Sequence, residues 1–98
     1  MRIVYHGVDL DGKCSAAIVW HSVEARAARK RGAPCELIPL DYGQPLGMAD
    51  WVEGEAVYVV DFSLPLQQML VIAERYCLVW IDHHKTAIAE AGLVVERV

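Results

Sequence analysis

Excess positive charge is the first thing this sequence lacks: Lys and Arg together number 9 against 13 Asp and Glu, for a formal net charge of −4. A sequence-independent grip on long nucleic acid is mostly phosphate neutralisation by Lys and Arg, so the balance argues against a long duplex partner. A small anionic substrate stays open if cations supply the local positive field. Paired cysteines are lacking too. Cys14, Cys35 and Cys77 are odd in number, widely spaced and form no C-x-x-C pair, which indicates neither a disulfide framework nor a zinc knuckle and makes a cytoplasmic setting the default. No apolar run approaches the roughly 20 residues needed to span a bilayer. The N-terminus, MRIVYHGVDLDG, has one basic residue and a short apolar run interrupted by His6 and Asp9, which is no signal peptide, and no membrane partner is expected. Linkers, low-complexity segments and internal repeats are absent as well.

What is present is a globular composition, 55% hydrophobic and 22% charged over 98 residues, enough for one domain with one modest core. RIVYH (2 to 6) reads as a buried strand followed by Gly7. Over residues 13 to 31 the apolar positions Ala16, Val19, Trp20, Val23 and Ala27 recur at three- and four-residue spacing, which predicts a single helix. Its stop signals are Arg29, Lys30 and Arg31 at the negative end of the helix dipole, then Gly32 and Pro34. CELIPL (35 to 40) predicts a second strand, at a sheet edge because Pro39 cannot donate to a central ladder. Residues 41 to 55 read as a connection with one helical turn, 56 to 62 as a strand, 65 to 76 as a helix opened by proline, and 77 to 82 as a strand. A short helix over 85 to 92 and a last strand over 93 to 98 complete the pattern. Strands without alternation, separated by helical periods, predict an α/β fold: a three-layer, Rossmann-like α/β/α arrangement around an open, mainly parallel sheet of about five strands.

In such sheets ligands bind beyond the carboxyl ends of the strands. Three strands deposit acids or histidines there: His6, Asp9 and Asp11 after the first, Asp61 after AVYVV, and Asp82, His83 and His84 after CLVWI. Several aspartates gathered at one edge would repel and resist ionising together, an objection that divalent cations remove. Mixed histidine and carboxylate ligands suit manganese, iron, cobalt or zinc better than calcium. Two such ions about 3.5 to 4 Å apart can clamp a phosphoryl group and make hydroxide near neutral pH. Asp61, arriving singly from the middle of the pattern, is the natural bridge between them.

HGVDLDGKCSAAIV, VVDFSLP and WIDHHKTA, in that order, resemble the first three motifs of the DHH phosphoesterase superfamily, which includes RecJ-type exonucleases, oligoribonucleases that clear short RNA fragments, cyclic-dinucleotide phosphodiesterases and family II inorganic pyrophosphatases. The resemblance covers essentially the whole chain. It implies two manganese ions, with magnesium, cobalt or zinc as alternatives. One would be held by His6, Asp9 and Asp61 and the other by Asp11, Asp61 and His83. His84 would face the substrate phosphate, Asp82 would orient a neighbouring histidine, and Lys85 would add positive charge nearby. The implied activity is hydrolysis of a phosphodiester or phosphoanhydride, with a short oligonucleotide or nucleotide as substrate. Two departures stand out: the spacing from His6 to Asp9 is one residue shorter than the commoner H-x-x-x-D-x-D form, and the chain ends at Val98 before the family's fourth motif and C-terminal substrate-binding domain. The expectation is therefore a single, truncated DHH-type domain over residues 1 to 98.

Two other functions fit parts of the pattern. VDLDGK read as a haloacid-dehalogenase-type motif makes Asp9 a covalent nucleophile but leaves both histidines idle. A catalytically incomplete module would bind metal or phosphate, or serve as a scaffold that oligomerises through the apolar edge strand LVVERV. Outside the motifs, His21 is expected at the surface, residues 26 to 31 as a solvated helix end, and Trp20, Trp51 and Trp80 as packing groups, with base stacking by Trp51 the lesser alternative. The cysteines are expected to be buried small hydrophobes, with Cys14 near the proposed site and open to oxidation.

Overall fold

The computed structural model describes residues 1 to 82. The helix expected over 85 to 92, the strand over 93 to 98, and His83, His84 and Lys85 lie outside the described residues. Within them, four strands, β1 (Arg2–His6), β2 (Glu36–Leu40), β3 (Ala56–Val60) and β4 (Cys77–Ile81), alternate with three helices, α1 (Leu10–Trp20), α2 (Val23–Lys30) and α3 (Leu66–Arg75). The sheet is parallel throughout, in the order β2-β1-β3-β4. β2 takes the edge that Pro39 requires.

The inner strands β1 and β3 are short and largely apolar, and most of their residues are buried. Val4 is in register with Ile38 on one side and Val59 on the other, and Val59 with Trp80. With Val57 and Leu78 these side chains lie on one face of the sheet, packed with Met69 and Ile72 of α3 and with Trp51. Side chains alternate along a strand, so Ile3, Tyr58 and Val60 point the other way, onto Ala16 and Val19 of α1 and Ala25 of α2. The connection over residues 41 to 55 contains turns and no helix. It sends Leu46, Met48 and Trp51 onto the first of these clusters, and Trp51 is buried edge-on to Tyr76, with ring centroids 5.3 Å apart. Packing, not base stacking, is the role of Trp51.

The region expected as one helix is two. The apolar spacing runs unbroken across residues 20 to 23, but Ser22 turns the chain: its hydroxyl accepts from the Ala25 backbone N–H at 3.2 Å and starts α2 afresh. The new phase buries Ala25 and Ala28 and leaves Val23 81% exposed, contrary to its expected place on the core face. Arg29 closes the corner by donating to the Trp20 carbonyl at 2.8 Å while its guanidinium lies 4.0 Å from the Trp20 ring centroid. α2 then ends as the Gly32 signal requires: Gly32 has φ +77°, its N–H bonds the Arg29 carbonyl, and the Ala33 N–H bonds the Ala28 carbonyl, each at 3.0 Å. His21, Arg26, Lys30 and Arg31 are exposed as expected.

The cysteines depart from expectation. Cys14 and Cys77 are exposed and Cys35 is half-buried, because α1 turns Gly12, Ala16 and Val19 inward, leaving Cys14 outside, and Cys77 opens β4 at the sheet margin. No helix among the described residues is long and apolar enough to cross a membrane.

Candidate metal centre

The chain leaves β1 for β2 on one side and reaches β3 on the other, so the carboxyl ends of β1 and β3 flank the point where the strand order reverses. A crevice forms at such a point in open α/β sheets. His6 ends β1, and Asp61 directly follows β3. Gly7 then turns the chain back. A side chain there would meet Pro39 Cβ at 2.6 Å, so the loop can hug β2 only with glycine. Asp9 is the N-cap of α1, its Oδ1 accepting from the Gly12 N–H at 2.8 Å. Gly12 lies against the end of β1 so closely that a Cβ would come within 2.0 Å of the His6 carbonyl oxygen. The D-x-D-G spacing thus has a steric origin: Asp9 caps the helix, Gly12 lets it approach β1, and Asp11 falls on the first turn, exposed.

These contacts gather three ligand atoms, one each from His6, Asp9 and Asp61, all within 4.8 Å of one another. Asp11 is not among them. Asp82 follows β4 at the same end of the sheet and is half-buried, while His83 and His84 are not described. One imidazole nitrogen and two carboxylate oxygens are a donor set for a borderline divalent cation.

Asp61 carries a backbone signature of its own. It is 6% exposed, its N–H donates to the Ile81 carbonyl at 2.9 Å, and its φ of +50° lies in the left-handed region. Aspartate tolerates that region better than most residues, at a cost of about 1–3 kcal/mol that the surroundings must offset. Strain of this kind clusters at functional sites.

His6 is held from both sides. Asp9 Oδ2 lies 2.8 Å from Nδ1 and Asp41 Oδ1 3.1 Å from Nε2. Burial alone would push the imidazole pKa down, but the carboxylates of Asp41 and Asp9 outweigh it and hold the pKa above its ordinary value. Asp41 is held below the usual carboxylate range by His6 and then by the Tyr42 N–H, which donates to it at 2.8 Å. When protonated, the ring would donate to both acids. As a ligand it would give up one proton and keep the other nitrogen on a carboxylate, the arrangement that fixes the tautomer of a metal-bound histidine. Asp41 is the residue that sequence reasoning missed, absorbed into the connection that begins there. Its signal was the one already used for Asp61 and Asp82: an acid placed directly after an apolar strand.

Two aromatic rings wall the centre. Phe62, buried, stacks on His6 at 5.7 Å between centroids, and Tyr42 approaches His6 at 5.2 Å and stacks on Phe62 at 4.7 Å. Comparison with family models, with curated proteins and with solved structures yields no match for this chain.

Proposed function

We propose that this chain is a divalent-metal-dependent phosphoesterase domain of the DHH type, acting on a short oligonucleotide or nucleotide-like phosphodiester or phosphoanhydride. The observation that carries the reading is the meeting of His6, Asp9 and Asp61 within 4.8 Å, at the reversal point of a parallel sheet, from strand ends more than fifty residues apart in the chain. In this reading His6, Asp9 and Asp61 hold one cation, Asp11, Asp61 and His83 the second, His84 contacts the substrate phosphate, and Asp82 orients a histidine. Bound divalent ions, manganese above all, would supply an acidified water and neutralise charge developing on phosphorus. The chain's own residues do the rest: Asp41 orients His6, Phe62 shields one face of its ring, and the Asp9 cap ties the loop to α1. The finer fold belongs to the same proposal: a fifth strand over residues 93 to 98, a three-layer arrangement, and a cytoplasmic setting.

Both oxygens of Asp9 are engaged, by the Gly12 N–H and by His6, which supports a ligand over the covalent nucleophile of a haloacid-dehalogenase reading. The deciding experiment is manganese titration by calorimetry together with hydrolysis of bis(p-nitrophenyl) phosphate and of a dinucleotide, for wild type and Asp61→Ala. Saturable binding with manganese-dependent turnover, both lost in Asp61→Ala, is the expected result. Binding without turnover would leave the incomplete metal-binding module, and no binding would end the reading.

A further inference from the structure

Beside the His6, Asp9 and Asp61 group lies a cleft of about 350 Å³, walled by Tyr42 and Gln44 from the segment after β2, by Phe62, Ser63 and Pro65 from the segment after β3, and by Gln68 of α3. We propose that this cleft is a nucleobase subsite, which seats the base of a nucleotide while its phosphate lies toward the metal centre; the proposal deepens the phosphoesterase reading and rests on it.

Four features of the cleft define the ligand. Among the described residues no lining side chain is charged, so a phosphate or carboxylate would gain no ion pair from them, and the anionic part of a ligand belongs with cations next door. Its walls are flat: Phe62 is buried and fixed, and Tyr42 stacks on it at an interplanar angle of 29° while remaining 53% exposed. That leaves aromatic surface for a further planar ring, and stacking accepts any base because every base has a π-face. Two primary amides stand at the rim. Gln44 Oε1 accepts from the Asp41 N–H at 2.7 Å, which fixes that side chain and turns its NH2 group to donate, and Gln68 supplies both a donor and an acceptor. Such amides suit the edge of a base. Finally, Tyr42 and Phe62 are the same two rings that touch His6, so one ligand spans the cleft and the metal group without a gap. A phosphate compound with no planar group, such as pyrophosphate, would leave the cleft empty.

The test separates this subsite from the metal chemistry. With EDTA present, adenosine, uridine and ribose 5-phosphate are titrated into the full chain and followed by calorimetry, alongside Tyr42→Ala, Tyr42→Phe and Gln68→Ala, each first shown to melt cooperatively. Expected are binding of both nucleosides and not of ribose 5-phosphate, a loss of about ten-fold or more in Tyr42→Ala, and near wild-type affinity in Tyr42→Phe, which keeps the ring. Gln68→Ala, on the first turn of α3, is expected to change the ratio of adenosine to uridine affinity. Equal binding of ribose 5-phosphate and nucleosides, no nucleoside binding, or unchanged affinities in both alanine variants would overturn the proposal. Manganese-dependent turnover without nucleoside binding would sink the subsite alone, whereas nucleoside binding without turnover would sink the esterase reading alone.

Discussion

Asp61 meets two demands at single-residue scale, a left-handed backbone and a buried carboxylate, and substitutions pull them apart. Asp61→Asn and Asp61→Gly both tolerate φ near +50°, whereas β-branched Asp61→Val does not and is expected to unfold at lower denaturant, by about 1–3 kcal/mol relative to the other two. All three variants should lose manganese affinity, so urea titration and calorimetry read the two demands separately. His6 and Asp41 set a pH window in the chelated protein. The His6 pKa is raised, so its contribution is whole below about pH 6.5, its unfolded value, and fades as pH climbs through the folded one. The Asp41 pKa is lowered, so its contribution is present above about pH 3.9 and fades as pH falls through the folded value. The stability difference between wild type and Asp41→Asn should therefore peak between about pH 4 and 6.5 and shrink toward pH 9. A constant difference across that range would show that the two residues are not coupled. His6 and Asp61 were legible in the sequence because each stands where an apolar run stops, and Asp9 because it opens the D-x-D-G pattern just after the first. Asp41 stands in such a place too, but the Gly and Pro that follow it, Gly43 and Pro45, read as connection and hid it.

Among the elements, α1 is tied to the site more tightly than any other, because Asp9 is at once its cap and a candidate ligand. Asp9→Asn retains a capping oxygen and is expected to cost only a few tenths of a kcal/mol, about, in stability, while Asp9→Ala forfeits about 1 kcal/mol. Both should lose metal affinity; equal stability of the two would mean that the cap contributes nothing. Gly12→Ala forces a Cβ to 2.0 Å from the His6 carbonyl, so α1 must lift off β1, at a cost of about 1–3 kcal/mol and with weakened manganese binding as Asp9 moves. The strands were readable from the sequence because runs such as AVYVV are apolar at every position, as two covered faces demand. The corner between α1 and α2 was not, since Val19, Trp20 and Val23 keep helical spacing across it, and only the capping chemistry of Ser22 announces the break. Ser22→Ala is expected to lower stability by about 1 kcal/mol, read as a shift in urea midpoint with no change in metal affinity.

At the scale of the whole molecule, ion pairs among the described residues gather at both ends of the sheet. At the amino end Arg2, nearly buried at the start of β1, bonds Glu55 at 2.9 Å and Glu36 at 2.8 Å, and Glu55 also receives the Met1 ammonium at 3.0 Å. Burial alone would raise the Glu55 pKa, but the Val52 N–H, the N-terminus and Arg2 prevail and lower it. Glu55→Ala leaves Arg2 with Glu36 as its nearest carboxylate partner and, among the described residues, the Met1 ammonium without one, and is expected to lower the melting temperature with manganese affinity unchanged, since the His6, Asp9 and Asp61 group sits at the opposite end of β1. The strand order carries a consequence for synthesis. Among the described strands β1 leaves the ribosome before the others, yet it is an inner strand and lacks one neighbour until β3 has been made. A nascent chain stopped before residue 56 therefore exposes one side of its central strand to chaperones and to other chains. The His6, Asp9 and Asp61 group cannot assemble at that stage either, because Asp61, which completes it, belongs to the segment that ends the wait.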